Sequence, residues 1–271
     1  MRPNPELRPP AVAGRFYPDD ADALAADVEA RLARAGRTAR RHLAVMAPHA
    51  GYVYSGNVAG VVFADTVVPA RVIVLAPNHT GRGRPGAVWS RGAFALPGGA
   101  LPVDEELCAL LLNHRLVHDH EAHRDEHALE VELPFVRARR PDVRITPIIL
   151  GGLGLDDCLE IGRHLAEVVT RLAADVLVIA SSDMSHYLPD DVTRRIDQRA
   201  LEPLLARDPE RLFKLVRDED ITMCGILPAT AMLAYANARG ASSAELLAYA
   251  TSADAFGDTS RVVGYAGVAV R

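Results

Sequence analysis

The sequence predicts an α/β fold, in which a single domain over residues 1–271 carries a mainly parallel or mixed central sheet flanked by helices. Two observations predict it. Several short runs are apolar throughout, without the alternation of polar and apolar residues that marks a half-exposed strand. Stretches with helical patterning lie between many of these runs. Continuous apolar strands are typical of a sheet that helices cover on both faces.

In chain order, the elements begin with an amphipathic helix over residues 19–35, which has acidic residues early and arginines late. Apolar runs at 42–47 and 71–76 each stop at a proline and predict strands, with a helix over 57–67 between them. The Gly/Pro-rich stretch 81–102 predicts a loop or hairpin. The other strands are expected at 143–150, 175–181, 245–251 and 262–270. The other helices are expected at 103–113, 126–138, 156–173, 191–206 and 228–239.

The composition excludes several classes of protein. The net charge of −5 gives no electrostatic reason to expect binding to nucleic acid. The apolar stretches are too short to span a bilayer, and the N-terminus lacks the apolar centre of a signal peptide. We therefore expect a cytoplasmic protein without a membrane partner. Residues 1–11 are rich in proline, and the sequence leaves open whether they are ordered or form a flexible extension.

Histidines follow three of the predicted strands at the point where each strand ends. His49 and His79 each come directly after an apolar run, while Asp183 and His186 follow the run at 175–181. A single histidine in such a place is more often structural than functional. Because the carboxyl ends of parallel strands meet at one edge of a sheet, where ligands bind in open α/β folds, three of them together predict a shared pocket.

Asp183 and His186 are three residues apart, so that on the first turn of a helix they would share a face. A carboxylate beside an imidazole can fix its tautomer and raise its basicity, which favours acid–base chemistry or metal ligation. The alternative is that Ser182 or Asp183 caps a helix that begins near Leu188. Capping and catalysis are compatible.

The three cysteines are too few, and odd in number, for a disulfide framework. Cys108 and Cys158 lie in helical patterns and are expected to pack in the core. Cys224 precedes a helix that starts with a proline, and the nearby helix N-terminus would favour its thiolate. Taken alone, however, Cys224 is better interpreted as a buried structural thiol.

A histidine-rich tract covers residues 114–130. His-rich tracts can bind metal, but here arginines and acidic residues are interleaved with the histidines, so His114, His118 and His120 are predicted to lie on a solvated face. The segment 126–130 opens a predicted helix, and its spacing leaves open whether its side chains face a pocket. Its acidic and imidazole residues are Glu126, His127 and Glu130.

Seven short motifs are distributed along nearly the whole chain. They are VAGRFYP at 12–18, APHAGYVYSG at 47–56, PNHTG at 77–81, EHALEVELPF at 126–135, SSDMSHY at 181–187, TMCGILP at 222–228 and GDTSRVVGYA at 257–266. Together, and in this order, they resemble the motifs of the Memo family, whose bacterial and archaeal members are also labelled AmmeMemoRadiSam system protein B.

This family is similar in fold to the class III extradiol dioxygenases, which hold non-haem Fe(II) with two histidines and a carboxylate. The resemblance implies that His49 and His79 take the two histidine positions and that Cys224 takes the place of the carboxylate. The resemblance makes non-haem Fe(II) the first expectation for the metal. Because a thiolate is a softer ligand than a carboxylate, copper and zinc are the alternatives.

The resemblance also implies catalytic side chains around the metal. His186 resembles an acid–base histidine with Asp183 beside it, and His127 resembles a further pocket histidine. Tyr17 and Tyr54 are expected to line the pocket because they belong to the motifs.

Three functional hypotheses follow. The first is a metal-dependent, dioxygenase-like redox enzyme that acts on a small-molecule substrate. The second is a non-catalytic binding or scaffold protein that uses the same pocket for a peptide or a partner protein. The label of the family implies AMMECR-type and radical SAM proteins as partners. The third is hydrolysis assisted by Zn²⁺, although the sequence has no HExxH motif.

Overall fold

In the computed structural model, which describes residues 6–271, nine strands form one mixed sheet and three strands form a smaller one. The strands are β1 (Leu7–Arg8), β2 (Ala44–Ala47), β3 (Arg71–Pro77), β4 (Gly86–Val88), β5 (Ala93–Leu96), β6 (Gly99–Pro102), β7 (Val117–His118), β8 (Arg144–Leu150), β9 (Val176–Ser181), β10 (His186–Leu188), β11 (Ala244–Thr251) and β12 (Val262–Val270). The α-helices are α1 (Ala21–Ala35), α2 (Tyr52–Asp65), α3 (Glu105–Leu111), α4 (Leu133–Arg139), α5 (Leu155–Leu172), α6 (Asp190–Leu205), α7 (Pro209–Asp218), α8 (Ile226–Ala238) and α9 (Ala253–Phe256), and a short 3₁₀ helix covers Glu130–Glu132. The predicted α/β fold with a mixed central sheet is confirmed.

The centre of the large sheet is parallel and its edges are antiparallel. Strands β2, β9, β3 and β8 run parallel to one another in that order. On one side β12 pairs antiparallel with β2, and both β10 and β11 pair antiparallel with β12. On the other side β4 pairs antiparallel with β8. The carboxyl ends of β2, β9 and β3 therefore lie side by side at one edge of the sheet.

The apolar runs form strands that are buried along almost their whole length, as their composition predicts. Every residue of β2 and β9 is buried, and so is every residue of β3 after Arg71. Helix α2 contacts β2, β11 and β12, whereas α8 contacts β2, β3 and β9. Both helices are apolar around most of their circumference and are buried accordingly.

The start of one predicted helix and the form of another differ in the structure. The helix expected over 191–206 is α6, which begins at Asp190 and not near Leu188, because His186–Leu188 forms β10 and pairs with β12. Neither Ser182 nor Asp183 caps it; the residue at the N-cap position is Pro189. The helix expected over 126–138 is a 3₁₀ turn followed by α4. Here tertiary pairing and side-chain burial override the local helical pattern.

The proline-rich start of the chain is partly described. Residues 1–5 of the predicted extension lie outside the described residues, and the remainder joins the fold through β1, which pairs with β5 of the small sheet. The side chain of Arg8 is buried there. Every helix within residues 6–271 is too short or too polar to cross a lipid bilayer.

Candidate functional site

The side chains predicted from the strand ends meet in one open pocket of about 580 Å³. His49 stands two residues after β2, His79 two residues after β3, and Asp183 two residues after β9. Because these three strands are neighbours, their ends deliver the side chains to one place. The lining residues are Phe16, His49, Ala50, His79, His127, Asp183, His186, Tyr187, Thr222, Cys224 and Val263.

Three imidazoles form the centre of the pocket. The ring centroids of His49 and His79 are 5.2 Å apart, those of His49 and His127 are 5.5 Å apart, and those of His79 and His127 are 4.8 Å apart. Each ring offers one nitrogen within 4.8 Å of the nitrogens of the other two. His127, predicted only as a further pocket histidine, thus joins His49 and His79 in a group of three imidazoles that could hold a metal ion.

Glu126 holds the ring of His79 in place. One carboxylate oxygen of Glu126 accepts the backbone N–H of His79 at 2.6 Å, and the other lies 2.9 Å from Nδ1 of the same residue. Burial alone would lower the pKa of His79, but the hydrogen bond and charge of Glu126 outweigh burial and raise it. With Nδ1 engaged by the carboxylate, Nε2 is the nitrogen left for a ligand, an arrangement that recurs behind metal-bound histidines.

Ser181 does the same for His49. Its hydroxyl lies 2.8 Å from Nδ1 of His49 and donates to the carbonyl of Ala128 at 2.6 Å. Since the hydroxyl has a single proton, the N–H at Nδ1 donates to the serine oxygen and Nε2 is left unprotonated. Glu132, buried behind Ser181 at 3.1 Å, has its pKa raised well above the usual range by burial. Burial also lowers the pKa of His49, which favours the neutral ring that metal ligation requires.

Cys224 lies against His49 but outside the imidazole triangle. Its Sγ is 3.3 Å from Nε2 of His49 and accepts the backbone N–H of Asp183 at 3.2 Å. Burial, followed by the charge of Asp183, raises the pKa of this thiol. The expectation that a helix N-terminus would favour the thiolate stays a prediction, and burial opposes it.

Asp183 and His186 both line the pocket, although not as a helical pair. No helix connects them: His186 begins β10, and Thr222 holds its side chain. The Nδ1–H of His186 donates to the carbonyl of Thr222 at 2.8 Å, so that Nε2 is free to exchange a proton. Asp183 accepts the backbone N–H of His49 at 2.9 Å, and burial raises the pKa of its carboxyl group.

The two tyrosines predicted at the pocket lie elsewhere. The hydroxyl of Tyr17 donates to Glu130 at 2.5 Å in the core, where Glu130 also pairs with Arg8. Tyr54 lines a second cavity, of about 420 Å³, that adjoins the pocket through Tyr187 and Val263. The other residues of that cavity are Ser252, Phe256, Asp258, Arg261 and Tyr265.

The remaining predictions for cysteine and histidine have mixed outcomes. Cys108 and Cys158 are buried in α3 and α5, as predicted. His114 is exposed beside Glu160, also as predicted. His120 is only half-buried, because its ring stacks on a tryptophan. His123, for which the sequence predicted no role, is buried in the core.

Comparison with known proteins agrees with the motifs. The family described as Memo-like protein matches residues 8–269. A MEMO1 family protein of Aquifex aeolicus is 36% identical over 264 residues, which cover 97% of this chain and 98% of that protein. A MEMO1 family protein of Methanococcoides burtonii is 37% identical over 266 residues, covering 98% and 100%. The crystal structure of an uncharacterized protein, JW3007 from Escherichia coli K12, has a TM-score of 0.55 at 13% identity, over 84% of this chain and 100% of that one, and shows a shared fold alone.

Proposed function

The chain belongs to the Memo-like family, and on this premise we propose that it binds a transition metal and acts as a non-haem, dioxygenase-like redox enzyme on a small-molecule substrate. One observation carries the proposal. The imidazoles of His49, His79 and His127 converge in an open pocket beside the thiol of Cys224. Imidazole and thiolate ligands suit iron, copper and zinc rather than magnesium or calcium.

The donor set fits such an ion. Ser181 engages the outer nitrogen of His49, and Glu126 engages that of His79, so that each ring is oriented from behind with its other nitrogen available. We propose His49 and His79 as ligands, with Cys224 as the third. His127 competes for that third place because its ring offers a nitrogen within 4.8 Å of those of both His49 and His79. Fe(II) is the first metal to test, with copper or zinc as alternatives.

The bound metal would supply Lewis acidity and redox chemistry, and the surrounding side chains would handle substrate and protons. His186 would take a proton from a substrate hydroxyl at Nε2 and return it later, because its Nδ1–H is already fixed by Thr222. Asp183, whose pKa burial raises, lies in the same pocket and accepts the backbone N–H of His49. The adjoining cavity offers aromatic surface to the part of the substrate that does not react.

The first experiment is metal analysis by elemental mass spectrometry of protein purified anaerobically. Near-stoichiometric iron or copper is expected, and His49→Ala and Cys224→Ala should lose it, whereas His127→Ala should keep it. Loss in His127→Ala with retention in Cys224→Ala would instead assign the third ligand to His127. His114→Ala is the matched control, because the side chain of His114 is 70% exposed. Folded wild-type protein without metal would contradict the proposal, and tightly bound zinc would direct attention to hydrolysis.

A second candidate function is recognition of a peptide or a partner protein, and the adjoining cavity is the observation that favours it. Tyr54, Tyr187 and Phe256 are exposed around this cavity. Such side chains are common in binding surfaces. The AMMECR-type and radical SAM proteins implied by the family label are the partners to test in pull-down experiments. Capture by a His49→Ala, Cys224→Ala double variant would support binding without catalysis, whereas loss of capture would count against it.

A further inference from the structure

We propose that Glu6, His118 and His120 form a second cation site, for Zn²⁺ or Cu²⁺, on the surface and independent of the pocket. Each of the three residues offers one ligand atom within 4.8 Å of the others. One carboxylate and two imidazoles are a ligand set that zinc accepts, with water completing the coordination of an open site. Hard cations such as magnesium prefer oxygen ligands, so the two imidazoles select a borderline metal.

Both imidazoles are held by a neighbour, as ligand histidines usually are. Nδ1 of His118 lies 2.7 Å from the hydroxyl of Ser90. The ring of His120 stacks on that of Trp89, with centroids 3.8 Å apart and an interplanar angle of 22°. The ring centroids of His118 and His120 are 4.5 Å apart. The two rings are therefore oriented together before any cation binds.

The contact between Glu6 and His120 favours a cation between the two side chains. Nε2 of His120 lies 3.0 Å from a carboxylate oxygen of Glu6. Nevertheless, this nitrogen is buried and has no hydrogen-bond partner with acceptable geometry among residues 6–271. Buried polar atoms are normally satisfied. Two ligand atoms that approach each other without sharing a proton, beside a third ligand, can be satisfied by one cation between them.

The position of the site suggests its role. Glu6 precedes β1, and its carbonyl accepts the backbone N–H of Ala93 at 3.0 Å, so it belongs to the small sheet. His118 ends β7, at the edge of the large sheet, and His120 follows in the next turn. A cation here would link the two sheets and fix the start of the described chain. Its binding should raise the melting temperature, because a ligand that binds only the native state stabilises it.

Trp89 makes the test local. It is the only tryptophan in the chain, and its stacking on His120 means that Cu²⁺ at the site should quench its fluorescence. We expect Cu²⁺ to quench Trp89 in the wild-type protein and equally in His49→Ala, which disables the pocket. We expect Zn²⁺ to compete with Cu²⁺ and to raise the melting temperature in both proteins.

The variants His118→Ala and Glu6→Gln should each raise the Cu²⁺ concentration needed for half-maximal quenching by at least about tenfold. Each should also lose the rise in melting temperature that Zn²⁺ causes in the wild-type protein. Both side chains are exposed, so both variants should fold; His114→Ala, in the same tract, is the control and should behave as wild type. Three results would overturn the proposal: no quenching, quenching unchanged in His118→Ala, or quenching abolished by His49→Ala. The last of these would place the copper in the pocket and would leave the proposed function intact.

Discussion

Replacing Glu126 by glutamine tests whether the carboxylate behind His79 prepares that ring for a metal. The side chain of Glu126 is buried and accepts from three donors: the backbone N–H of His79 at 2.6 Å, its Nδ1 at 2.9 Å and the backbone N–H of Ala128 at 3.0 Å. Glutamine has nearly the same shape but only one oxygen. Whichever way the amide turns, its NH₂ group faces at least one N–H, so that donor meets donor.

The expected magnitude follows from these contacts. Burial alone would raise the pKa of Glu126, but the hydrogen bond to His79 and its charge lower it overall, so the carboxylate is charged at neutral pH. Losing one charge-assisted hydrogen bond should reduce the free energy of unfolding by about 1.5–3 kcal/mol. Loss of the group that orients a ligand histidine should weaken metal binding by about 10- to 100-fold, or about 1.4–2.7 kcal/mol.

The measurement is anaerobic titration of Fe(II) against a competing chelator, with urea unfolding of the same proteins. Glu121→Gln is the control, because Glu121 and its partner Arg124 are both exposed, and such pairs contribute about 1 kcal/mol or less. Glu126→Gln that binds Fe(II) with the affinity of the wild type would refute the assigned role of the carboxylate. Weaker binding in Glu121→Gln as well would point to a general effect of removing negative charge.

Three further predictions concern stability. Burial lowers the pKa of His123 to about 3, against about 6.5 in the unfolded chain. Because the unfolded chain takes up the proton first as the pH falls, moving from pH 7 to pH 5 should reduce the free energy of unfolding by about 2 kcal/mol. Urea unfolding of His123→Gln should show a smaller pH dependence, and a pH dependence equal to that of the wild type would contradict the assignment. Gly225→Ala should reduce the free energy of unfolding by about 1–3 kcal/mol, because the added Cβ would lie 2.3 Å from Cβ of Ser182. Gly154→Ala, whose added Cβ would have its nearest atom at 3.7 Å, should be nearly neutral in the same urea unfolding experiment. Tyr187→Gly should raise the free energy of unfolding by about 1 kcal/mol, because it relieves a left-handed φ of 62°. A fall in stability in urea unfolding would show that the side chain matters more than the strain.

The strand ends were predictable because periodicity and composition suffice to locate a buried parallel strand. The runs before His49 and His79 are almost entirely apolar, and such short runs are typical of a strand that is covered on both faces. Neighbouring parallel strands then bring their ends together without any further information. The same reasoning brought Asp183 to the pocket, although the short strand His186–Leu188, which the sequence did not predict, precedes the helix that follows.

The partners behind the imidazoles were not predictable from the sequence. Glu126 and His79 are 47 residues apart, and Ser181 and His49 are 132 apart, so no local pattern links either pair. The close approach of His127 to His49 and His79 depends in the same way on the irregular turn before the 3₁₀ helix. Sequence patterning reports the burial of an element, whereas contacts between distant side chains follow from the folded path of the chain.

The first residues that the structure describes support the site, and one buried arginine is the physical reason. Arg8 donates to the carbonyls of His123 and Glu126 and pairs with Glu130. Glu130 also accepts the backbone N–H of Val12. A buried charge without a partner is costly, so arginine and glutamate each require the other. Arg8 thereby fixes the backbone of the segment that presents Glu126 to His79. The pocket thus depends on strand β1, which brings the guanidinium of Arg8 to the carboxylate of Glu130.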